Sequence, residues 1–216
     1  MRPTPDPRCY FITGRGSRDH IVDVARRAVA GGARMVQVRS KPITARELYA
    51  LTEAVALAVG ETAHVLVDDR IDIALALRRR GLPVHGVHVG QDDLHVRDVR
   101  ALLGEDAIIG LTTGTRALVE AANEHADVLD YIGAGPFRPT PTKDSGRPPL
   151  GLAGYRELVE LSQVPVVAIG DVTADDAPAL ADTGVAGLAV VRGLMESDDP
   201  TRYVQRLLTG FGEGLR

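Results

Sequence analysis

The sequence predicts an α/β fold, with a single (β/α)₈ TIM-barrel domain spanning residues 1–216. Eight short apolar runs alternate along the chain with longer segments in which apolar residues recur at helical spacing. The runs are almost continuous in apolar residues, which is typical of parallel strands that are buried on both faces. A length of 216 residues also fits one barrel of this kind.

Ordinary sequence signals place the strands and helices of this barrel. The predicted strands are residues 9–13, 35–38, 65–67, 86–89, 108–111, 130–132, 166–169 and 187–191. Thr44 and Glu47 form a capping box, and Asp199 followed by Pro200 marks another helix start. Gly104 marks a helix end. An open, doubly wound sheet is the alternative architecture, although no G-x-G-x-x-G motif follows the first strand.

Composition and charge exclude several classes of partner. Aromatic residues make up 4% of the chain and the formal net charge is −4, which disfavours binding to nucleic acid or to an anionic membrane. The apolar runs are too short to cross a bilayer, and the charged, Pro-rich residues 1–8 lack the apolar stretch of a signal peptide. Cys9 is the only cysteine, which excludes an intrachain disulfide and a cysteine zinc cluster. We therefore expect a cytoplasmic protein.

Basic side chains follow the second predicted strand. In a (β/α)₈ barrel the active site lies at the carboxyl ends of the strands. There Gln37 is followed by Arg39 and Lys41, and two cations that leave one strand end favour an anion-binding site. A solvated basic turn is the alternative interpretation.

Carboxylates follow the third and fourth predicted strands. Asp68 and Asp69 end the third strand, and Asp93 lies just beyond the fourth. Because these strands are neighbours in the barrel, the side chains can converge on one Mg²⁺, which takes a few carboxylates together with phosphate oxygens. The alternative is that Asp69 and Asp93 cap the helices that follow them.

A long connection, residues 133–150, follows the sixth predicted strand. Long ordered connections are commonly lids or binding loops, and Thr140, Thr142 and Lys143 carry groups that bind phosphate. We expect this connection to close over substrate. A merely solvated loop is the alternative.

The remaining strand ends carry polar groups with less specific roles. Thr112 and Thr115 follow the fifth strand and can donate to a ligand or cap the next helix. The loops after strands seven and eight are the usual phosphate site of this fold, which suits Arg192 but not Asp171. The six histidines show no metal-ligand spacing, and we interpret His88 as a strand residue with satisfied hydrogen bonds.

Taken together and in order, these strand ends resemble those of the thiamine-phosphate synthase family over nearly the whole chain. Residues 37–41 are similar to the family's Q-x-R-x-K segment, and residues 67–70 are similar to its V-N-D-R segment. Residues 86–93 are close to its G-x-H-x-G-Q-x-D segment. Residues 130–136 and 139–143 resemble its D-Y-x-x-x-G-P and P-T-x-T-K segments. Each segment alone is a weak signal, but the combination is specific.

The resemblance implies a transferase of thiamine biosynthesis, which joins hydroxymethylpyrimidine diphosphate to thiazole phosphate and releases diphosphate. It implies that the pyrimidine diphosphate is held by Gln37, Arg39, Lys41, Asp68, Thr112 and Lys143. It implies that Mg²⁺ is bound by Asp69 and Asp93. It implies that the thiazole phosphate is held by Thr140, Thr142, Val191 and Arg192. Four further residues complete the expected substrate site, namely Val38, Ser40, Pro141 and Asp171.

Physical chemistry agrees with this implied reaction. Departure of diphosphate is the difficult step, because it leaves a carbocation that the pyrimidine ring stabilises. Mg²⁺, Arg39, Lys41 and Lys143 would stabilise the charge that grows on the leaving group. Holding the thiazole nitrogen close to the carbocation supplies much of the rate. No protein nucleophile is needed, and no Ser-His-Asp triad can be placed in the sequence.

Three positions depart from the commonest family pattern. Asp68 stands where Asn is usual, Asp171 where a second Gly is usual, and Arg192 where Ser is common. We expect Arg192 either to pair with Asp171 or to reach the phosphate itself. A thiazole tautomerase of the same fold family and a non-catalytic sensor of phosphorylated ligands are the competing functions. A homo-oligomer is compatible with the sequence.

Overall fold

The computed structural model describes residues 3–139 and 146–214, and it contains a closed barrel of eight parallel strands. The strands are β1 (Cys9–Ile12), β2 (Met35–Val38), β3 (His64–Asp68), β4 (Gly86–Val89), β5 (Ile108–Thr113), β6 (Tyr131–Ala134), β7 (Val166–Ala168) and β8 (Gly187–Val190). Each strand pairs with the next along the chain, and β8 pairs with β1 through Tyr10 and Ala189. This closure confirms the TIM barrel and excludes the open, doubly wound sheet.

Helices follow the strands and surround the barrel. They are α1 (Arg18–Ala30), α2 (Ala45–Val59), α3 (Ile71–Arg79), α4 (Val96–Leu103), α5 (Arg116–Asn123), α6 (Gly151–Leu161), α7 (Ala177–Ala181), α8 (Arg192–Met195) and α9 (Pro200–Gly214), with a 3₁₀ turn at Ala174–Asp176. The capping box of Thr44 and Glu47 is present, and Gly104 ends α4 with a φ of 91°. Within the described ranges, none of these helices combines the length and the apolar character needed to cross a membrane.

The strand boundaries differ from the predicted ones by one or two residues. β1, β7 and β8 each end one residue earlier than predicted, whereas β3 gains one residue at each end. The largest difference is β6, which was expected at residues 130–132 and runs from Tyr131 to Ala134. Gly133 and Ala134 pair with the end of β5, so pairing extends the strand where the local sequence signals a turn. Asp130 is not part of the strand, because its carboxylate accepts the Ile109 N–H at 2.7 Å.

Alternation of side chains along each strand produces two separate cores. Residues that point outward pack against the helices, as Phe11, Val36 and Val65 do. Residues that point inward fill the barrel in layers, as is typical of this fold. The inward set is Tyr10, Ile12, Met35, Leu66, Ile108, Tyr131, Val167 and Ala189. The filled interior supports the strand ends above it.

Candidate active site at the carboxyl ends of the strands

The basic end of β2 meets the acidic end of β3 at the mouth of the barrel. Arg39 Nε lies 3.5 Å from Asp68 Oδ2, and Lys41 Nζ lies 3.0 Å from the same oxygen. Lys41 also forms an ion pair with Asp69. The basic segment is therefore held over the carboxylates of the neighbouring strand, and the alternative of a freely solvated turn is wrong for Arg39 and Lys41.

Backbone contacts from the end of β1 fix the position of this basic segment. The buried hydroxyl of Thr13 donates to the Arg39 carbonyl at 2.8 Å and accepts from the Arg39 N–H at 2.9 Å. Arg15 Nε donates to the Lys41 carbonyl at 2.8 Å. Neither contact was predictable from the sequence, because nothing in a threonine or an arginine alone indicates which backbone carbonyl it will reach. Together they hold Arg39 and Lys41 at the mouth of the barrel.

Asp69 and Asp93 are close to each other and do not cap the helices that follow. Residues Arg70 and His95 occupy the positions that precede α3 and α4, so the capping alternative is wrong. Asp69 adopts a left-handed backbone with a φ of 58°, which turns the chain sharply after Asp68. Asp93 Oδ2 accepts the N–H of Gly90 at 2.7 Å, which folds the loop after β4 back toward β3.

The electrostatics of these carboxylates are unusual. Burial, followed by the neighbouring charge of Asp69, raises the pKa of both Asp68 and Asp93. Burial alone would lower the pKa of Lys41, but its contacts with Asp69 and Asp68 outweigh burial, and its pKa is raised. Lys41 therefore keeps its charge, while the carboxylates repel one another in a poorly solvated place.

The donor set suits a hard divalent cation that also binds substrate oxygens. Among the described residues, no group of three or more His, Cys, Asp or Glu side chains forms a complete metal site. Asp69 and Asp93 are two mutually repelling carboxylates, and the buried Asp68 Oδ2 beside them lies close to the cations of Lys41 and Arg39. Mg²⁺ characteristically takes one or two carboxylates and completes its shell with water and phosphate oxygens. The residues present fit that ion.

Gln37 and Thr112 lie deeper, at the top of the barrel interior. The Gln37 amide nitrogen donates to the Tyr10 hydroxyl at 2.8 Å, and Gln37 is almost fully buried. The Thr112 hydroxyl lies 2.9 Å from His88 Nε2. His88, on β4, is thus hydrogen-bonded to Thr112 of β5 and also to Tyr131 of β6, which confirms its interpretation as a satisfied strand residue. Thr115, not Thr112, caps the next helix, so the Thr112 side chain is left facing the interior.

At the opposite side of the mouth, Arg192 forms an ion pair with Asp171. This is one of the two arrangements that the sequence leaves open. Arg138 Nη1 donates to the Asp171 carbonyl at 3.0 Å and pairs with Asp176, so the end of β7 is tied to the 3₁₀ turn. Val191 packs against the interior core at the end of β8.

The other predicted site residues have side chains that are less well placed to reach a ligand, or they lie outside the described ranges. Val38 is fully buried in the outer core, because neighbouring strand residues face opposite sides, and only its backbone can reach a ligand. Ser40 is half-buried beside Arg39. Four further residues, and with them the middle of the expected lid, lie outside the described residues, namely Thr140, Pro141, Thr142 and Lys143.

Comparison with known proteins agrees with this arrangement. Residues 9–194 match the family model described as thiamine monophosphate synthase. The chain is 91% identical over 214 residues to a thiamine-phosphate synthase of Corynebacterium efficiens, and the match covers 99% of each chain. It is 60% identical to one of Corynebacterium jeikeium, over 99% of this chain and 98% of that one. A thiamine phosphate pyrophosphorylase from Pyrococcus furiosus superimposes with a TM-score of 0.80 at 30% identity, covering 96% of each chain. The chain therefore belongs to the thiamine monophosphate synthase family.

Proposed function

We propose how this transferase carries out the synthase reaction, with Arg39 and Lys41 receiving the diphosphate that leaves the hydroxymethylpyrimidine. Both cations stand at the mouth of the barrel on a backbone held by Thr13 and Arg15. Arginine presents a planar fork to phosphate oxygens, and lysine presents a compact point charge. Two such cations stabilise the negative charge that grows on the leaving group, without reorganising during the step.

Mg²⁺ is the cofactor that this proposal includes, held by Asp69 and Asp93. Bound there, the ion would supply Lewis-acid stabilisation of the diphosphate oxygens. Lys41 pairs with Asp69 and lies near Asp68. With a divalent cation held by Asp69 and Asp93, Lys41 would be available to contact an oxygen of the substrate.

The thiazole phosphate belongs at the ends of β7 and β8 in this proposal. Arg192 is the cation there, and Asp171 holds its guanidinium at the barrel mouth. The hydroxyls of Thr140 and Thr142 are expected to complete the phosphate contacts, whereas Lys143 is expected to contact the diphosphate of the pyrimidine. Holding the thiazole nitrogen against the pyrimidine carbon then supplies much of the rate, because the second step needs only a close, oriented nucleophile.

One observation carries the proposal: at the mouth of the barrel the two cations that follow β2 pair with Asp68 and Asp69 at the end of β3, and Asp93 lies beside Asp69. Cations and carboxylates together suit a diphosphate that binds with a metal ion. A site for a single phosphate needs cations but no carboxylates to hold a metal ion. The arrangement therefore favours a pyrimidine diphosphate over a single phosphorylated thiazole. The cytoplasm remains the expected compartment.

The test is a coupled assay with purified protein, hydroxymethylpyrimidine diphosphate, thiazole phosphate and Mg²⁺, with thiamine phosphate followed by chromatography. We expect product that is abolished by EDTA and reduced at least about a hundredfold by Lys41→Ala, because a charge-assisted contact made in the transition state is lost. Arg97→Ala removes an exposed cation of α4 that pairs with Asp127, and it should leave the rate unchanged.

Other outcomes of the same assay would favour a different function for this protein. Absence of product combined with binding of thiazole phosphate alone would favour a thiazole tautomerase. Binding of the pyrimidine diphosphate in the presence of Mg²⁺, without turnover, would favour a sensor. Full activity in Lys41→Ala would remove Lys41 from the mechanism.

A further inference from the structure

A row of five hydrogen-bonded side chains crosses the barrel interior beneath the site. Gln37 Nε2 lies 2.8 Å from the Tyr10 hydroxyl, which lies 2.8 Å from the Tyr131 hydroxyl. The Tyr131 hydroxyl lies 2.9 Å from His88 Nδ1, and His88 Nε2 lies 2.9 Å from the Thr112 hydroxyl. The row thus joins β2 to β5, and both of its ends reach the expected pyrimidine site.

The donor at one end determines the direction of every bond in the row. The Gln37 amide nitrogen can only donate, so the Tyr10 hydroxyl accepts and has one proton to pass to Tyr131. Tyr131 likewise accepts once and donates once, and its proton goes to His88 Nδ1. His88 then carries its own proton on Nε2 and donates it to Thr112. The Thr112 proton remains for a ligand.

We propose that this relay (Gln37, Tyr10, Tyr131, His88 and Thr112) has a single direction, in which His88 is a positioning residue held as its Nε2–H tautomer. The relay presents the Gln37 carbonyl oxygen as an acceptor and the Thr112 hydroxyl as a donor. This inference rests on the proposed function for the identity of the ligand, though not for the direction of the bonds.

Burial keeps the relay intact at neutral pH. Tyr10 and Tyr131 are both 1% exposed, and burial raises the pKa of each phenol. Each hydroxyl therefore keeps the single proton that the relay requires. In the described part of the chain the Gln37 carbonyl oxygen accepts no hydrogen bond, so it is free for a donor on the ligand.

The backbone is shaped to hold the His88 and Tyr131 rings together. Gly110 of β5 pairs with both residues in the sheet, and a Cβ there would lie 2.5 Å from His88 Nδ1 and would overlap the Tyr131 ring. At Gly133 a Cβ would lie 3.1 Å from His88 Cε1. The two rings stack with centroids 5.5 Å apart. Glycine at these two positions leaves the space that the relay occupies.

The resulting pattern fits an aminopyrimidine that carries a diphosphate. The exocyclic amino group offers N–H donors, which the Gln37 oxygen can accept, and the diphosphate offers acceptors for the Thr112 hydroxyl. A reversed relay would present the Gln37 amide N–H groups and a Thr112 lone pair instead. In that arrangement the amino group of the ligand would face the Gln37 N–H groups, and buried N–H donors would be left without an acceptor.

The test is nitrogen NMR of the full-length, ligand-free protein with ¹⁵N-labelled histidine, in which the His88 signals are assigned by their loss in His88→Gln. We expect one tautomer, with the proton on Nε2. Tyr131→Phe removes the donor to Nδ1, and Tyr10→Phe disconnects Tyr131 from the Gln37 donor that sets the direction, so each variant should give a mixture of tautomers. Affinity for the pyrimidine diphosphate should fall about tenfold in both, as for loss of one buried hydrogen bond.

Tyr155→Phe is the matched control. Tyr155 is also a fully buried phenol, and it donates to the Ala134 carbonyl at 2.8 Å outside the relay. The control should leave the His88 tautomer and the affinity unchanged. Wild-type His88 with its proton on Nδ1 would overturn the proposal without any variant, and so would an unchanged tautomer in a folded Tyr131→Phe. Because the tautomer is read without ligand, a failed synthase assay would reject the proposed function and leave this result standing.

Discussion

The guanidinium of Arg192, at the end of β8, is paired with the carboxylate of Asp171, at the end of β7. Asp171 adopts a left-handed φ of 58°, a conformation in which Gly, Asn and Asp are favoured. Both side chains are partly exposed, so the pair faces the mouth of the barrel. Asp171 therefore neutralises and restrains the cation that the proposed function gives to the thiazole phosphate.

We expect Asp171→Asn to raise the affinity for thiazole phosphate about tenfold, since it removes a nearby negative charge and releases Arg192. Arg192→Ser should lower affinity in the wild-type background. It should lower affinity more in the Asp171→Asn background, where the freed guanidinium contacts the phosphate. Isothermal titration of the four proteins gives the coupling, expected at about 1 kcal/mol.

Asp175→Asn provides the control for charge alone. Asp175 is exposed and pairs with Arg206 on the outside of the barrel, so its loss changes the net charge without touching Arg192. The control should bind thiazole phosphate as the wild type does. Strictly additive effects of the Asp171 and Arg192 substitutions would mean that their pairing has no role in binding.

The fold was predictable because each strand is an apolar run bounded by polar or glycine-rich sequence. The polar ends also located the site, since a barrel brings all carboxyl strand ends to one face. Arg39 and Lys41 were thereby expected near Asp68 and Asp69, and the structure places them there. Strand ends such as that of β6 were missed, because pairing with β5 outweighs the local turn signal of Gly133.

Contacts between distant residues were not predictable from one sequence. Thr13 and Arg15 reach backbone carbonyls 26 residues away, and no spacing rule connects them to those carbonyls. The same applies to Tyr10 and Tyr131, which are 121 residues apart and meet only inside the closed barrel. Asp69 was predicted either as a metal ligand or as a helix cap, and the cap was excluded only once the structure placed Arg70 at the position that precedes α3.

Removal of one carboxylate should weaken the metal site without disturbing its loop. Asp93→Asn keeps an oxygen that can accept the Gly90 N–H but loses the negative charge. We expect the Mg²⁺ concentration for half-maximal activity to rise at least about tenfold, as for loss of one charged ligand. The thermal stabilisation that Mg²⁺ gives in the presence of inorganic diphosphate should fall in parallel. Asp92→Asn, at an exposed neighbouring position, is the matched control, and an equal effect there would argue against a specific ligand role for Asp93.

A buried ion pair at the other face of the barrel should dominate stability. Arg100 Nη2 lies 2.8 Å from Asp130 Oδ2, both side chains are less than a tenth exposed, and Arg100 also donates to the Ala107 carbonyl at 2.6 Å. Arg100→Met leaves a buried, uncompensated carboxylate and should cost about 3–5 kcal/mol in the free energy of unfolding. Urea denaturation measures this loss.

The double variant Arg100→Met/Asp130→Asn should recover part of that loss, because Asn removes the charge and still accepts the Ile109 N–H. Arg97 lies on the same helix as Arg100, and Arg97→Met, which breaks an exposed pair with Asp127, should cost less than about 1 kcal/mol in the free energy of unfolding. Similar losses of unfolding free energy for the buried and the exposed pair would show that burial does not determine how much an ion pair contributes to stability.

A histidine at the face opposite the site should make stability depend on pH. His85 Nδ1 accepts the Val65 N–H at 3.0 Å, and the His85 ring packs edge-on against His64 with centroids 5.0 Å apart. Burial, then the charges of His64 and Arg78, lowers the pKa of His85 to about 4. The folded state thus favours neutral His85, whose contribution to stability is fully present above the unfolded pKa of about 6.5.

That contribution should be lost as the pH falls from about 6.5 toward 4, because the unfolded state takes up a proton that the folded state resists. A shift of this size corresponds to about 3 kcal/mol, which solvent screening at a partly exposed ring reduces to about 1–2 kcal/mol. His85→Asn keeps an acceptor for Val65 but does not titrate. Urea denaturation between pH 4 and 8 should therefore show that the free energy of unfolding falls less steeply below pH 6.5 in the variant than in the wild type. Above pH 7 the two pH dependences should be parallel. The same fall in both proteins at acid pH would mean that His85 is protonated equally in the folded and unfolded states.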